Sequence, residues 1–164
     1  MGNQRYVVGM DGSAGARAAL RWAVTQAAGH DGDSIHAIAA WRRDPSSGGS
    51  SSAKTHKQRL NTMLATEVDA LPADERSHTT ISTEVAEGPT EEILVEACED
   101  NDILVLGRHG HGKAWHILMG WTTEACVRKV ACPVVIIPPE PAPATKQPPR
   151  RDVPRGARSG PQAP

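Results

Sequence analysis

Apolar residues recur along this chain in two rhythms that take turns, a short β-prone run followed by a helical stripe. Residues 5–10, Arg-Tyr-Val-Val-Gly-Met, read as a strand that ends at Asp11-Gly12-Ser13, where Ser13 is placed to cap a helix. Ala16, Ala19, Leu20, Ala23, Val24 and Ala27 then repeat at helical spacing, with Gly29 as the stop. A second apolar run, Ile35 to Trp41, follows that helix. A strand, a helix and a second strand in this order imply parallel pairing through a right-handed crossover.

The alternation continues to residue 137. Arg42 to Ala53 contains Pro45, Gly48, Gly49 and five serines, the composition of a flexible loop. Leu60, Met63, Leu64, Val68 and Leu71 mark the next helix, which Pro72 ends. Thr79 to Ala86 reads as a third strand. Gly88-Pro89 opens a helix that has Glu91 and Glu92 at its positive end and directs Ile93, Leu94, Ala97 and Cys98 inward. Asp102 to Leu106 is almost wholly apolar, as expected of a strand covered on both faces. A glycine-rich segment, a helix from about Thr122 to Val130 and a last strand, Pro133 to Ile137, complete the pattern. Five strands alternating with four helices predict a three-layer, doubly wound α/β domain with a parallel sheet.

Composition divides the chain in two. Of the 13 prolines in 164 residues, nine lie at or after Pro138. The segment from Glu140 onward carries a net charge of +3 and residues 1–139 carry −4, which together give the overall −1. A stretch so poor in apolar residues cannot offset the entropy of ordering itself, so residues 139–164 are expected to be a disordered tail after a domain spanning 1–138. Apolar runs such as Val134 to Ile137 are far short of the roughly 18–20 residues that cross a membrane. No apolar leader precedes the first strand, which implies a soluble intracellular protein with no membrane partner. With four tryptophans, one tyrosine and no phenylalanine, a base-stacking surface for nucleic acid is hard to assemble. Cys98, Cys126 and Cys132 lack metal-site or redox spacing and read as buried thiols.

Ligands of open parallel sheets bind at the carboxyl ends of strands. Two segments fall there: Met10-Asp11-Gly12-Ser13, and Gly107-Arg108-His109-Gly110-His111-Gly112-Lys113. Glycines this closely spaced let successive N–H groups converge into a nest for phosphate oxygens, and the helix starting near Thr122 adds its positive end. Gly107 to Lys113 matches the start of a P-loop, but Ala114 stands where Mg²⁺ needs a hydroxyl. Gly9, Gly12 and Gly15 do not fit a dinucleotide fingerprint. His109, His111 and His116 have no carboxylate beside them to complete a metal site, and read as exposed loop histidines.

These residues resemble the universal stress proteins over residues 5–138. The likeness rests on Tyr6-Val-Val-Gly-Met-Asp-Gly-Ser13 with the Ala-Leu-Arg-Trp-Ala helix after it, and on Glu87-Gly88-Pro89. It rests also on Asp102-Ile-Leu-Val-Leu-Gly-Arg-His-Gly110 and Ala131-Cys-Pro-Val-Val-Ile-Ile-Pro138. Nucleotide-binding members carry G-x2-G-x9-G-[S/T], and Gly107, Gly110 and Gly120 fall at those intervals. The resemblance implies a sheet of order 3-2-1-4-5 on the adenine nucleotide alpha hydrolase-like scaffold and a cytoplasmic, stress-response protein. It also implies a homodimer through the last strand and, in one subfamily, bound ATP or AMP, with Mg²⁺ accompanying the nucleotide. By the same resemblance Asp11 sits by the adenosine and Ala40 lines the base or ribose pocket. Leu106, Gly107, His109 and Gly110 then face ribose and phosphates, and Gly120, Trp121, Thr122 and Thr123 hold phosphate.

Trp121 departs from the motif, standing where a Ser or Thr is usual. An indole offers no hydroxyl to a phosphate. Two outcomes follow. Thr122 and Thr123 supply the hydroxyl while Trp121 turns outward, and a regulatory protein binds an adenine nucleotide with hydrolysis slow at most. Alternatively Trp121 fills the phosphate pocket, and the domain is a nucleotide-free dimeric adaptor. The sequence offers no residue as a dedicated general base for attacking water.

Overall fold

The computed structural model describes residues 3–43, 49–108 and 120–138. His109, Gly110, the remaining glycine-loop residues up to 119 and the tail at 139–164 lie outside the described residues. Five strands appear: β1 Arg5–Gly9, β2 Ser34–Trp41, β3 Thr80–Glu87, β4 Asp102–Gly107 and β5 Val134–Ile137. They form one sheet of order β3-β2-β1-β4-β5, with every neighbouring pair parallel. This is the doubly wound α/β order that the resemblance implies.

Alternation along the strands decides which helix packs where. Tyr6 and Val8 of β1 point to one face, where they meet Ala16, Ala19, Leu20, Ala23, Val24 and Ala27 of α1 (Ala14–Ala27), with Leu64 of α2 (Gly49–Asp69). Val7 points to the other face, beside Ile38, Leu104 and Leu106. Leu94 of α4 (Thr90–Ala97) and Cys126 of α5 (Trp121–Lys129) cover that side. Residues on both faces of β4 are buried, which explains the unbroken apolar run in its sequence.

Two elements differ from the sequence reading. The serine- and glycine-rich stretch expected to be a loop up to Ala53 is helical from Gly49, so α2 begins about a turn earlier. Serine in a first turn opposes helix only weakly. The packed stripe below, together with the Trp41–His56 ring contact at 5.3 Å, anchors the helix that these residues extend. A fifth helix, α3 (Ala73–Ser77), follows Pro72, with Asp74 and Glu75 in its first turn. Pro72 thus ends one helix and caps the next.

At the amino ends of the central strands, Arg5 of β1 donates two hydrogen bonds to Asp102 of β4, at 3.0 and 2.6 Å. The Asp102 side chain is 6% exposed and also accepts from the Glu99 N–H at 2.7 Å. Burial raises its pKa, but the Arg5 hydrogen bond, the Glu99 amide and the Arg5 and His36 charges together outweigh burial and leave it lowered from 3.8. A carboxylate with a depressed folded value contributes stability above its unfolded pKa, and that contribution is lost as pH falls through the folded value. Asp102→Asn should therefore cost roughly 2 kcal/mol at neutral pH, less than a fully buried pair because Arg5 is partly exposed. Urea titrations should show the wild-type advantage shrinking below about pH 4; an advantage constant down to pH 2 would refute the assignment.

Candidate functional site

The turn after β1 is built by short-range bonds. The Ser13 N–H donates to Asp11 Oδ1 at 2.9 Å, and Ser13 Oγ accepts from the Ala16 N–H at 3.1 Å, capping α1. Gly12 between them has φ +77°, a backbone state that favours glycine. Arg17 donates to the Gly12 carbonyl at 2.8 Å and pairs with Glu67 of α2 at 3.2 Å, so the second helix holds the turn in place.

A second constraint brings β4 to the same point. A Cβ added at Gly107 would overlap the backbone of Gly15 and Ala16, and one added at Gly15 would stand 2.5 Å from the Arg108 carbonyl oxygen. The first turn of α1 therefore lies backbone to backbone on the carboxyl end of β4. The Arg108 N–H donates to Ile137 O at 2.8 Å, which joins the same point to β5.

These approaches leave a cleft of about 210 Å³ at the carboxyl ends of β1 and β4. Met10, Leu94 and Leu106 give it apolar walls, while Asp11, Ser13 and Thr90 line it with polar groups. Gly120, Trp121, Thr122 and Thr123 close one side. The amino-terminal ends of α1, α4 and α5 thus border one space. Unlike α1, α5 has no side-chain cap on its first turn among the described residues; its cap residue is Gly120. Uncapped first-turn amides and the helix dipole make such a space favourable for an anion. Among the described lining residues Asp11 is the one ionisable side chain.

Of the residues singled out from sequence, Asp11, Leu106, Gly107, Gly120, Trp121, Thr122 and Thr123 are brought together here. Ala40 is not among the lining residues; it lies near the end of β2, opposite Ala86 of β3. His109 and Gly110 fall outside the described residues. Trp121 borders the cleft with its side chain 80% exposed. Thr90 and Leu94 of α4 were not anticipated as lining residues. Their signal was Gly88-Pro89, which starts α4 at the level where β1 and β4 end.

Among the described residues no group of three His, Cys, Asp or Glu is arranged to hold a metal ion. The three cysteines are free, with Cys126 and Cys132 buried and Cys98 half-buried. Burial pushes the Cys126 thiol up to about 11, so it stays protonated at neutral pH.

The chain belongs to the universal stress protein family, whose model matches residues 2–138. A universal stress protein of Mycolicibacterium smegmatis is 28% identical over 137 residues, which is 80% of this chain and 47% of that protein. The chain thus spans about half the length of that curated relative. Its fold is similar to that of a universal stress protein crystallised in complex with cAMP, with TM-score 0.62 and 22% identity, covering 82% of this chain and 96% of the other. It is similar also to an Arabidopsis thaliana protein of the same family with AMP bound, with TM-score 0.59 and 14% identity, covering 82% and 91%. Among the described residues no helix is long and apolar enough to cross a membrane.

Gly15→Ala tests the contact that shapes the cleft. Alanine in a helix gains up to about 1 kcal/mol over glycine, whereas forcing a methyl against backbone that cannot rotate away costs more, roughly 3 kcal/mol. Chemical denaturation should show a net loss of roughly 2 kcal/mol; a stabilised variant would mean that α1 does not lie against β4 as described.

Proposed function

We propose that this protein is a stress-response regulator that binds an adenine nucleotide, ATP or AMP, at the carboxyl ends of β1 and β4. The observation that carries the reading is the convergence of three helix amino termini on one cleft, that of α5 without a side-chain cap. Phosphate would accept from the first-turn amides of α5 and from Thr122 and Thr123. Gly107 lets the main chain approach the ligand closely, and Asp11 would meet the ribose hydroxyls. Ala40 is assigned to the base side, while His109 and Gly110 would complete the phosphate side. Mg²⁺ would enter with the phosphates of ATP, since the described lining residues include a single carboxylate. Relatives of like fold bound to cAMP and AMP support an adenine nucleotide here.

In the competing reading Trp121 fills the phosphate pocket and the domain acts as a nucleotide-free adaptor. The 80% exposure of the indole favours the first reading.

Protein purified from its host and denatured should release ATP, AMP or a cyclic nucleotide into the extract. At about 100 times Kd a ligand adds about 2.7 kcal/mol to the native state, which should raise Tm by roughly 8 °C. A nucleotide-free extract together with an unchanged Tm in millimolar AMP and Mg-ATP would refute the proposal.

A homodimer through β5 belongs to the same proposal. Among the described residues β5 pairs with β4 alone, and all four of its residues are half-buried, which leaves an edge that a second copy would pair with. Sedimentation should give twice the 17.4 kDa monomer mass, and Ile136→Pro, which removes a backbone donor from the edge turned away from β4, should shift the species toward monomer. A wild-type monomer at micromolar concentration would exclude it.

A further inference from the structure

The three cysteines, scattered in sequence, are gathered on one face of the sheet. Cys126 and Cys132 are buried in the group that includes Val7, Leu94 and Leu104, and Cys98 packs against it. Backbone ties bring two of them to the same place. Cys98 follows the last residue of α4, whose Ala97 carbonyl accepts from Arg5 at 3.1 Å, and precedes Glu99, whose N–H donates to Asp102 at 2.7 Å. Cys132 precedes Pro133, whose carbonyl accepts from the Leu104 N–H at 2.9 Å. Both connections are thus pinned to the first half of β4, and the Cys98 and Cys132 thiols lie within hydrogen-bonding reach of each other. Of the groups that act on the Cys98 thiol, Cys126 inside α5 is the weakest.

We infer that Cys98 and Cys132 form an oxidation site, a thiol pair that hydrogen peroxide converts into an intramolecular disulfide. Cys98 is half-buried and Cys132 is 6% exposed, so the oxidant meets Cys98 first. The Cys98 thiolate attacks one peroxide oxygen, the O–O bond breaks, and the other oxygen leaves as water with the thiol proton, giving a sulfenic acid. The Cys132 thiolate then attacks that sulfur, forming the S–S bond and expelling a second water. In sum two thiols give up two protons and two electrons, and one peroxide becomes two waters. The sulfurs must close from hydrogen-bonding reach to about 2.05 Å. Both residues lie in short connections, after α4 and before β5, so their side chains can turn without breaking a helix or the sheet. Burial, and after it the neighbouring Cys132 thiol, raises the Cys98 pKa above the ordinary thiol value. The first step is therefore slow at neutral pH, and the site responds to peroxide in excess rather than in trace. The bond would tie the α4–β4 connection to the α5–β5 connection.

The reduced full chain, folded and treated with excess hydrogen peroxide, reads the pairing directly. Titration in denaturant should find the three thiols reduced to one, with a monomer mass lower by about 2 Da, the loss of two hydrogens. Peptide mapping without reductant should recover Cys98 joined to Cys132, and dithiothreitol should restore all three thiols. Cys98→Ser, at a half-buried position, should form no intramolecular bond and keep both remaining thiols under the same treatment. The wild-type map decides even where a variant fails to fold. A bond that includes Cys126, a bond between chains, a sulfinic or sulfonic acid at Cys98 without pairing, or three surviving thiols would each overturn the inference, and none of these results bears on the nucleotide site.

Discussion

Gly15 and Gly107 touch through their backbones, and the arrangement of the candidate site depends on that contact. Neither position has room for a Cβ, since each would drive it into main-chain atoms of the other segment. Main chain cannot rotate aside as a long side chain can, so the contact is rigid. It sets α1 directly over the end of β4, although the two elements are separated by about ninety residues of sequence. With α1 held there, its capped amino terminus, the Asp11-Gly12-Ser13 turn and the end of β4 all face one space. The strand order β1-β4-β5 then places α5 opposite.

The two ends of the central strands are held by different physics. At the amino ends a desolvated ion pair, Arg5–Asp102, joins β1 to β4 and draws in the Glu99 amide. Such a pair contributes modestly to net stability but strongly resists loss of one partner. At the carboxyl ends the ties are steric closeness, turn geometry and the reach of Arg17 to Gly12 and Glu67, and α5 presents a first turn without a side-chain cap. One end of the sheet is thus electrostatically closed, while among the described residues the other keeps first-turn amides without a side-chain cap. That asymmetry is what the proposed ligand site at the carboxyl ends rests on.

Much of this was legible from residues alone because it depends on local rules. Alternating strand and helix rhythms led to five parallel strands, and helical spacing in residues 16–27 picked out the buried face of α1. The Ser13 cap followed from residue type and position. The misses have a common cause. The first turn of α2 was read as a loop from its serines and glycines, because the packing that sustains it comes from Leu60 to Val68 and from Trp41 on another element. Thr90 and Leu94 were not placed at the cleft, because they reach it only once α4 is laid across the sheet. Gly107 was chosen as a phosphate-binding glycine, yet its partner Gly15 gives it a packing reason independent of any ligand.

The order of elements, the faces they bury, the unlike charge of the two parts of the chain and the clustering of glycines near the end of β4 were determined by sequence, since period and composition are properties of neighbours along the chain. The direction of Trp121 was not. Its identity announced a bulky group where a small polar one is usual, which left both an outward-turned indole and a plug open. In the tertiary structure α5 starts at Trp121 itself, and that residue stands 80% exposed at the border of the cleft. Helix phase fixes where a side chain points, and that phase is set by what packs beneath the helix, here the buried Thr123 and Cys126.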